Sequence, residues 1–249
     1  MPNLPPHLVL IGLIFLLAGT VKGVSGMGLP TVSIGLLGLF MAPAQAAALI
    51  VFPAAITNIW QFATGPRHLA LLRRFGPMML ATALATWSAT GMITGDDAGE
   101  AATALGLALI VYAAIGLTKY RLRVAPRSEG WMAPVIGAVT GIVTGATGVF
   151  GIPSMLFLQA VGLEAEELVQ AFGLSFTVSA VALAAGLASH GAFHLANGGV
   201  SLACTVPALI GMTAGRWVRR RVDPETFRRI FFAALLLLGL DLASRAVLG

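Results

Sequence analysis

Six stretches of about twenty mostly apolar residues recur along this chain, at 44–64, 74–94, 100–118, 166–188, 195–215 and 229–247. That is the length a helix needs to cross the roughly 30 Å of hydrocarbon in a bilayer. Within hydrocarbon each backbone N–H and C=O has to be satisfied internally, which a helix achieves along its own length. The chain therefore reads as an all-α integral membrane protein. Two further apolar stretches, 7–42 and 131–161, are too long for one helix, and glycine-rich sequence interrupts each of them. With them the chain has about eight hydrophobic segments.

Composition agrees: 57% of the 249 residues are hydrophobic and 10% are charged, where a soluble domain carries about a quarter charged residues. The net charge of +5 does not point to nucleic acid, because the arginines sit in short links between apolar runs, where they orient a chain in a membrane. The single cysteine, Cys204, allows no internal disulfide. No Cys/His cluster has the spacing of metal ligands, so neither metal nor cofactor is expected. The first twenty residues lack the basic start of a signal peptide and read as retained.

Lys and Arg accumulate in cytoplasmic links. Three links carry them: Arg67, Arg73 and Arg74; Lys119, Arg121, Arg123 and Arg127; and Arg216, Arg219, Arg220, Arg221, Arg228 and Arg229. The turn at Asp96, Asp97 and Glu100, and the link holding His190 and His194, have none and are expected outside. Between the second and third basic links lie two full spans, so the broken stretch 131–161 must add zero or two crossings, as a re-entrant hairpin would. If 7–42 behaves alike, both termini are periplasmic.

The broken stretches resemble each other. "GTVKGVSGMGLP" at 19–30 matches "GIVTGATGVFGIP" at 141–153, with Gly19, Gly23 and Gly26 answering Gly141, Gly145 and Gly148. "GPRHLA" from 65 likewise matches "GAFHLA" from 191. The halves, 1–122 and 131–249 around a basic cytoplasmic linker at 119–130, thus read as a duplication. The charge pattern gives them opposite orientation, an inverted repeat of two four-segment halves. Inverted repeats with discontinuous helices are the architecture of secondary transporters, whose substrate sites lie at the breaks.

The chemistry of the breaks points to a small anion. Glycine lets backbone approach a ligand, and a half-helix N-terminus after a break presents N–H groups to negative charge. Lys22 adds a full positive charge, and Thr20, Ser25, Thr144 and Thr147 add hydroxyls. An ionisable residue inside a membrane segment is a functional candidate by default; the plainer alternative is that Lys22 snorkels to the interface. Glycines at this spacing also serve helix packing. His68 and His194 occupy equivalent places in the two halves, as solvated residues or proton relays, and Asp241 reads as a helix pair with Arg245.

"GTVKGVSGMGLPTV", "PAAITNIWQ" at 53–61, "GIVTGATGVFGIPSM" and "GLSFTVSAVALAAG" at 173–186 together resemble the TauE/SafE family of sulfite exporters. The resemblance covers nearly the whole chain. It implies a secondary carrier of the bacterial inner membrane moving sulfite, thiosulfate or an organosulfonate such as sulfoacetate. It maps the family's translocation elements onto Gly23, Ser25, Gly26, Gly145, Thr147 and Gly148, and it gives Asn58 and Gln61 a place in the site. The expected partners are that anion and the lipid bilayer. Two rivals differ in class: a passive anion channel, and an intramembrane serine protease using Ser25 of "GVSG" with His190 or His194 as base. Thr147 in the equivalent position of "GATG" speaks against the protease, since one nucleophile needs no counterpart, and no enzymatic activity is expected.

Overall fold

Proline and glycine set the ends of most helices in this chain, which is seen here in a computed structural model describing residues 7–95, 98–118, 123–192, 195–219 and 221–248. Asp96, Asp97, Lys119, Arg121, His194 and Arg220 lie outside the described residues. Among the described residues there are ten helices and no strand: α1 (Leu8–Ser25), α2 (Leu29–Leu37), α3 (Pro43–Ala63), α4 (His68–Ile93), α5 (Ala98–Leu117), α6 (Pro126–Thr147), α7 (Ser154–Ala160), α8 (Ala165–Ser189), α9 (Leu195–Val218) and α10 (Pro224–Leu248). Proline opens α3, α6 and α10, where its missing N–H costs nothing. Asp223 caps α10 by accepting the Thr226 N–H and hydroxyl, both at 2.8 Å. Those two hydrogen bonds hold its carboxyl below the usual carboxylate range.

Among the described residues six helices are long and apolar enough to cross a membrane: α1, α3, α5, α6, α8 and α9. The 26-residue α4 and 25-residue α10 have the length as well, with Arg73 and Arg74 in the first turns of α4 and Arg228, Arg229, Asp241 and Arg245 toward the two ends of α10. Leucines and valines such as Val9, Leu80, Val206 and Leu237 are exposed around the bundle, as a lipid-facing surface requires. Trp60, Trp131 and Trp217 are exposed near the ends of α3, α6 and α9. These ends share the basic face of the bundle, where Arg67 pairs with Glu167 at 2.7 Å and Arg74 grips Glu129; such aromatics anchor a helix at the interface.

Helices pair through glycine. A Cβ on Gly19 or Gly23 of α1 would fall 2.1 Å from the Ala208 carbonyl oxygen or 2.3 Å from that of Met212 on α9. From the other side, one on Gly211 or Gly215 would fall 2.0 Å from the Leu16 or 2.1 Å from the Thr20 oxygen. The same interlock joins α6 to α4, where Gly137, Gly141 and Gly145 meet the carbonyls of Met78, Thr82 and Thr86. In lipid, where no hydrophobic force separates helices from solvent, close backbone approach of this kind is what holds them together.

Buried polar groups repair the breaks proline makes. Pro53, inside α3, cannot donate to the carbonyl of Leu49; the Ser201 hydroxyl of α9 donates to it instead at 2.8 Å, and accepts the Phe52 N–H at 3.2 Å. Ser201→Ala should therefore cost about 1 to 3 kcal/mol, the penalty of leaving a buried backbone group unpaired. Thermal unfolding in detergent reads it as a lowered Tm, and an unchanged Tm would show that α3 adjusts without help.

Candidate functional site

Both glycine-rich stretches are helix breaks, built alike. The first helix ends at Gly26 (φ 78°), whose N–H donates to the Lys22 carbonyl at 2.7 Å; the second ends at Gly148 (φ 71°), donating to Thr144 at 2.8 Å. Both glycines are left-handed, which ends a helix without the Cβ penalty other residues meet. The preceding hydroxyl shapes each turn. Ser25 Oγ donates to the Val21 carbonyl at 2.9 Å and accepts the Met27 N–H at 3.3 Å, while Thr147 Oγ1 donates to Val143 at 2.6 Å and accepts the Val149 N–H at 3.2 Å. After each turn the chain heads back. The His7 and Phe40 rings stand 6.0 Å apart across the feet of the first hairpin, and Val124 N–H donates to the Ala160 carbonyl at 3.0 Å across those of the second.

Lys22 lies one turn ahead of the first break and is 2% exposed. Its ammonium donates to Thr57 Oγ1 at 3.2 Å and to Asn58 Oδ1, both on α3. These partners are neutral, and none of the ion pairs among the described residues includes Lys22. Thr57 in turn donates to the Pro53 carbonyl at 2.6 Å, the local bond that leaves its lone pair facing Lys22. An ammonium has three donors, so one remains beyond these two partners. Asn58 Nδ2 is also buried without a partner. The negative end of the α1 dipole favours the cation but offers no charge. The site thus combines a buried cation, a spare N–H and an orphan amide donor, a set that suits an acceptor-only ligand such as an oxyanion.

The remaining residues singled out in the sequence are placed differently. Gln61 donates to the Val169 carbonyl at 2.7 Å and lines a cavity of about 500 Å³ with Gln170, Glu166 and Arg219. Gly26 faces Val169 of α8, whereas Gly148 faces Ile34 of α2 and Ala47 of α3. Gly23 and Gly145 back onto α9 and α4. Thr144, at the position equivalent to Lys22, donates to the Val149 carbonyl at 3.1 Å, and Thr20 to Leu16 at 2.8 Å. The backbone N–H of Ser154, which opens α7, is taken by Thr140 Oγ1 at 3.0 Å. Lys22 and Asn58 are thus brought into direct contact, while the hydroxyls of Ser25, Thr144 and Thr147 bond within their own turns.

His68 bonds the Ala63 carbonyl at 3.1 Å, and Asp241 pairs with Arg245 at 2.8 Å, as their spacing predicts. Ser25 bonds Val21 and Met27, and His190 sits on the Gly186 carbonyl at the far end of α8 from Val169, so the two do not form a nucleophile and base. Sequence reading passed over Thr57 although it adjoins Asn58, and over Tyr112, a phenol inside an apolar span. The Tyr112 hydroxyl reaches the sulfurs of Met27 at 4.0 Å and Met155 at 3.6 Å, tying the first break to α7.

The family described as Sulfite exporter TauE/SafE matches the chain over residues 11–242. No curated protein and no solved structure matches it. With the match running from α1 to α10 and six helices able to cross a membrane, the chain belongs to the TauE/SafE sulfite exporter family of multi-pass membrane transporters.

Proposed function

We propose that the protein is a secondary carrier that moves a small sulfur-containing anion, sulfite, thiosulfate or an organosulfonate, across the bacterial inner membrane by alternating access. The observation that carries this reading is Lys22, a buried ammonium whose partners are neutral oxygens. Taking such a charge out of water costs several kcal/mol, and a bound anion compensates it. The Asn58 amide, buried without a partner, offers a second donor beside it, and Gly26 turns the backbone a step away. In this reading the second break, with Gly145, Thr147 and Gly148, is the moving counterpart of the first.

An inverted repeat is supported by paired features: the matching turns at Gly26 and Gly148, and the packing of α1 on α9 and of α6 on α4. Each broken segment then forms a re-entrant hairpin that adds no crossing, so the halves run in opposite sense and both termini are periplasmic. In a protein with Cys204 replaced, cysteines at Ser128 and at Val222 should both label from the cytoplasmic side. Labelling from opposite sides would reject the topology.

Function is tested by uptake of labelled sulfite, thiosulfate and sulfoacetate into proteoliposomes. Saturable uptake of one, competed by the others, is expected. Electrical conductance beyond carrier turnover would make the protein a channel, and no uptake of any of them would overturn the reading.

A further inference from the structure

The two breaks differ in their access to solvent. At the first, Ser25 and Gly26 are half-buried beside a cavity of about 460 Å³. At the second, residues 144–150 are all buried, so the carbonyls that a helix end leaves without an intrahelical partner are enclosed by protein. The Gly148 N–H takes that of Thr144, and no donor among the described residues reaches those of Gly145, Ala146 and Thr147. Two hydroxyls beside this end are spare as well. On α4, Thr82 and Thr90 each donate to the carbonyl four residues back, at 2.9 and 2.7 Å. Thr86, between them, makes no such bond and is buried without a partner, while Gly145 of α6 lies against its backbone oxygen. The second is Ser179 of α8, also buried without a partner. It stands two turns ahead of Gly186, which packs on Thr90, and α4 and α8 start together at the Arg67–Glu167 pair, so Ser179 faces α4 near the level of Thr82 and Thr86. No carboxylate is close: the acids of α6 and α8, Glu129, Glu166 and Glu167, lie in their first turns at the basic end, and α4 has none.

We propose that the buried end of α6 is a site for a monovalent alkali cation, drawn by its three free carbonyls and by the hydroxyls of Thr86 and Ser179, and that this cation is the coupling ion of the carrier. The coupling role rests on the transport reading above; the cation site does not. Carbonyl oxygens only accept, a helix C-terminus carries the negative end of the dipole, and hydroxyl lone pairs complete an oxygen set suited to a hard cation. A divalent ion takes carboxylates among its oxygens, and leaving carbonyls buried and unpaired is costly. A single positive charge satisfies them without a counter-charge. Interrupted helices of repeat-built transporters hold coupling cations in this way, with unwound carbonyls and half-helix C-terminal ends. The two breaks then divide the work, the first holding the anion at Lys22 and the second the cation.

Thermal unfolding of the substrate-free protein in detergent tests the site without any transport, choline chloride being exchanged for NaCl, LiCl or KCl at fixed ionic strength. Tm should rise saturably, by about 3 °C or more, in at least one alkali salt. Thr86→Val removes a buried hydroxyl that bonds nothing, so in choline chloride it should be at least as stable as the wild type, and it should need about tenfold more cation for the same rise. Thr86→Ser should recover the wild-type response, and Ser179→Ala serves where Thr86→Val does not fold. Uptake of labelled sulfite into proteoliposomes should require the same cation. Equal Tm in all four salts would mean that buried water satisfies the carbonyls, and overturns the site. A wild-type cation response in folded Thr86→Val and Ser179→Ala also overturns it. A saturable rise in Tm with cation-independent uptake overturns the coupling role. A saturable rise with no uptake of sulfite, thiosulfate or sulfoacetate removes the carrier reading and leaves the cation site standing.

Discussion

Lys22→Gln is expected to weaken substrate affinity about ten- to hundredfold while leaving the ligand-free protein at least as stable. The first figure follows from losing a charge-assisted hydrogen bond, about 1.5 to 3 kcal/mol. The second follows from where the ammonium sits: 2% exposed, held by the oxygens of Thr57 and Asn58 and lacking an ion pair. Removing a buried charge that no carboxylate balances relieves its desolvation, and a glutamine amide can still donate to one of those oxygens. A lysine present for structure would behave oppositely. The measurements are KM by uptake in proteoliposomes and Tm in detergent without substrate. A large fall in Tm with an unchanged KM would show that Lys22 braces α1 against α3 and binds nothing. Lys22→Arg should rescue poorly, because the compact ammonium sits fully buried against Thr57 and Asn58 of α3, a place that a wider planar guanidinium overfills.

What the sequence made legible was periodic or chemically isolated. The long apolar runs located α3, α5, α8 and α9 to within a few residues, because hydrocarbon thickness fixes their length. The duplicated glycines located both breaks, and a lysine between apolar residues announced itself. The partners of that lysine were only half visible. Asn58 came from family resemblance, while Thr57 was hidden because a hydroxyl within an apolar run satisfies itself on its own helix, as Thr20, Thr82 and Thr90 do. The role of each glycine was less legible still. Spacing alone does not tell a glycine that turns the chain from one that admits a neighbouring helix, and Gly23 and Gly26, three residues apart, differ in this way. Nor does sequence show that Ser201 would stand in for the proton Pro53 lacks, since the two are distant in the chain and meet only when α9 lies on α3.

That difference between glycines yields the prediction with the largest effect on folding. Gly23→Ala and Gly145→Ala should deplete the folded protein, whereas Gly26→Ala should fold and Gly26→Leu should fold without transporting. At Gly23 a Cβ would stand 2.3 Å from the Met212 oxygen, and at Gly145 one would stand 2.5 Å from that of Thr86. These obstacles are backbone, so no rotamer change relieves them, and α1 must part from α9 or α6 from α4 along an interface of glycines. Overpacking of this kind costs about 1 to 3 kcal/mol or more, a large share of a total stability near 5 to 15 kcal/mol. At Gly26 the nearest atom, a methyl of Val169, is 3.8 Å away, so only the left-handed conformation resists, by about 1 to 2 kcal/mol. Gly148→Ala should fall between them, since its Cβ would strike Ile34 Cδ1, the end of a side chain that can rotate away. The readouts are the monodisperse fraction and Tm after extraction, followed by uptake for each variant that survives. Wild-type stability in Gly23→Ala would show that α1 and α9 stand further apart than their interlocked glycines require. Wild-type transport in a folded Gly26→Leu would detach the first turn from the transport cycle and leave Lys22 and Asn58 to bind the anion without it.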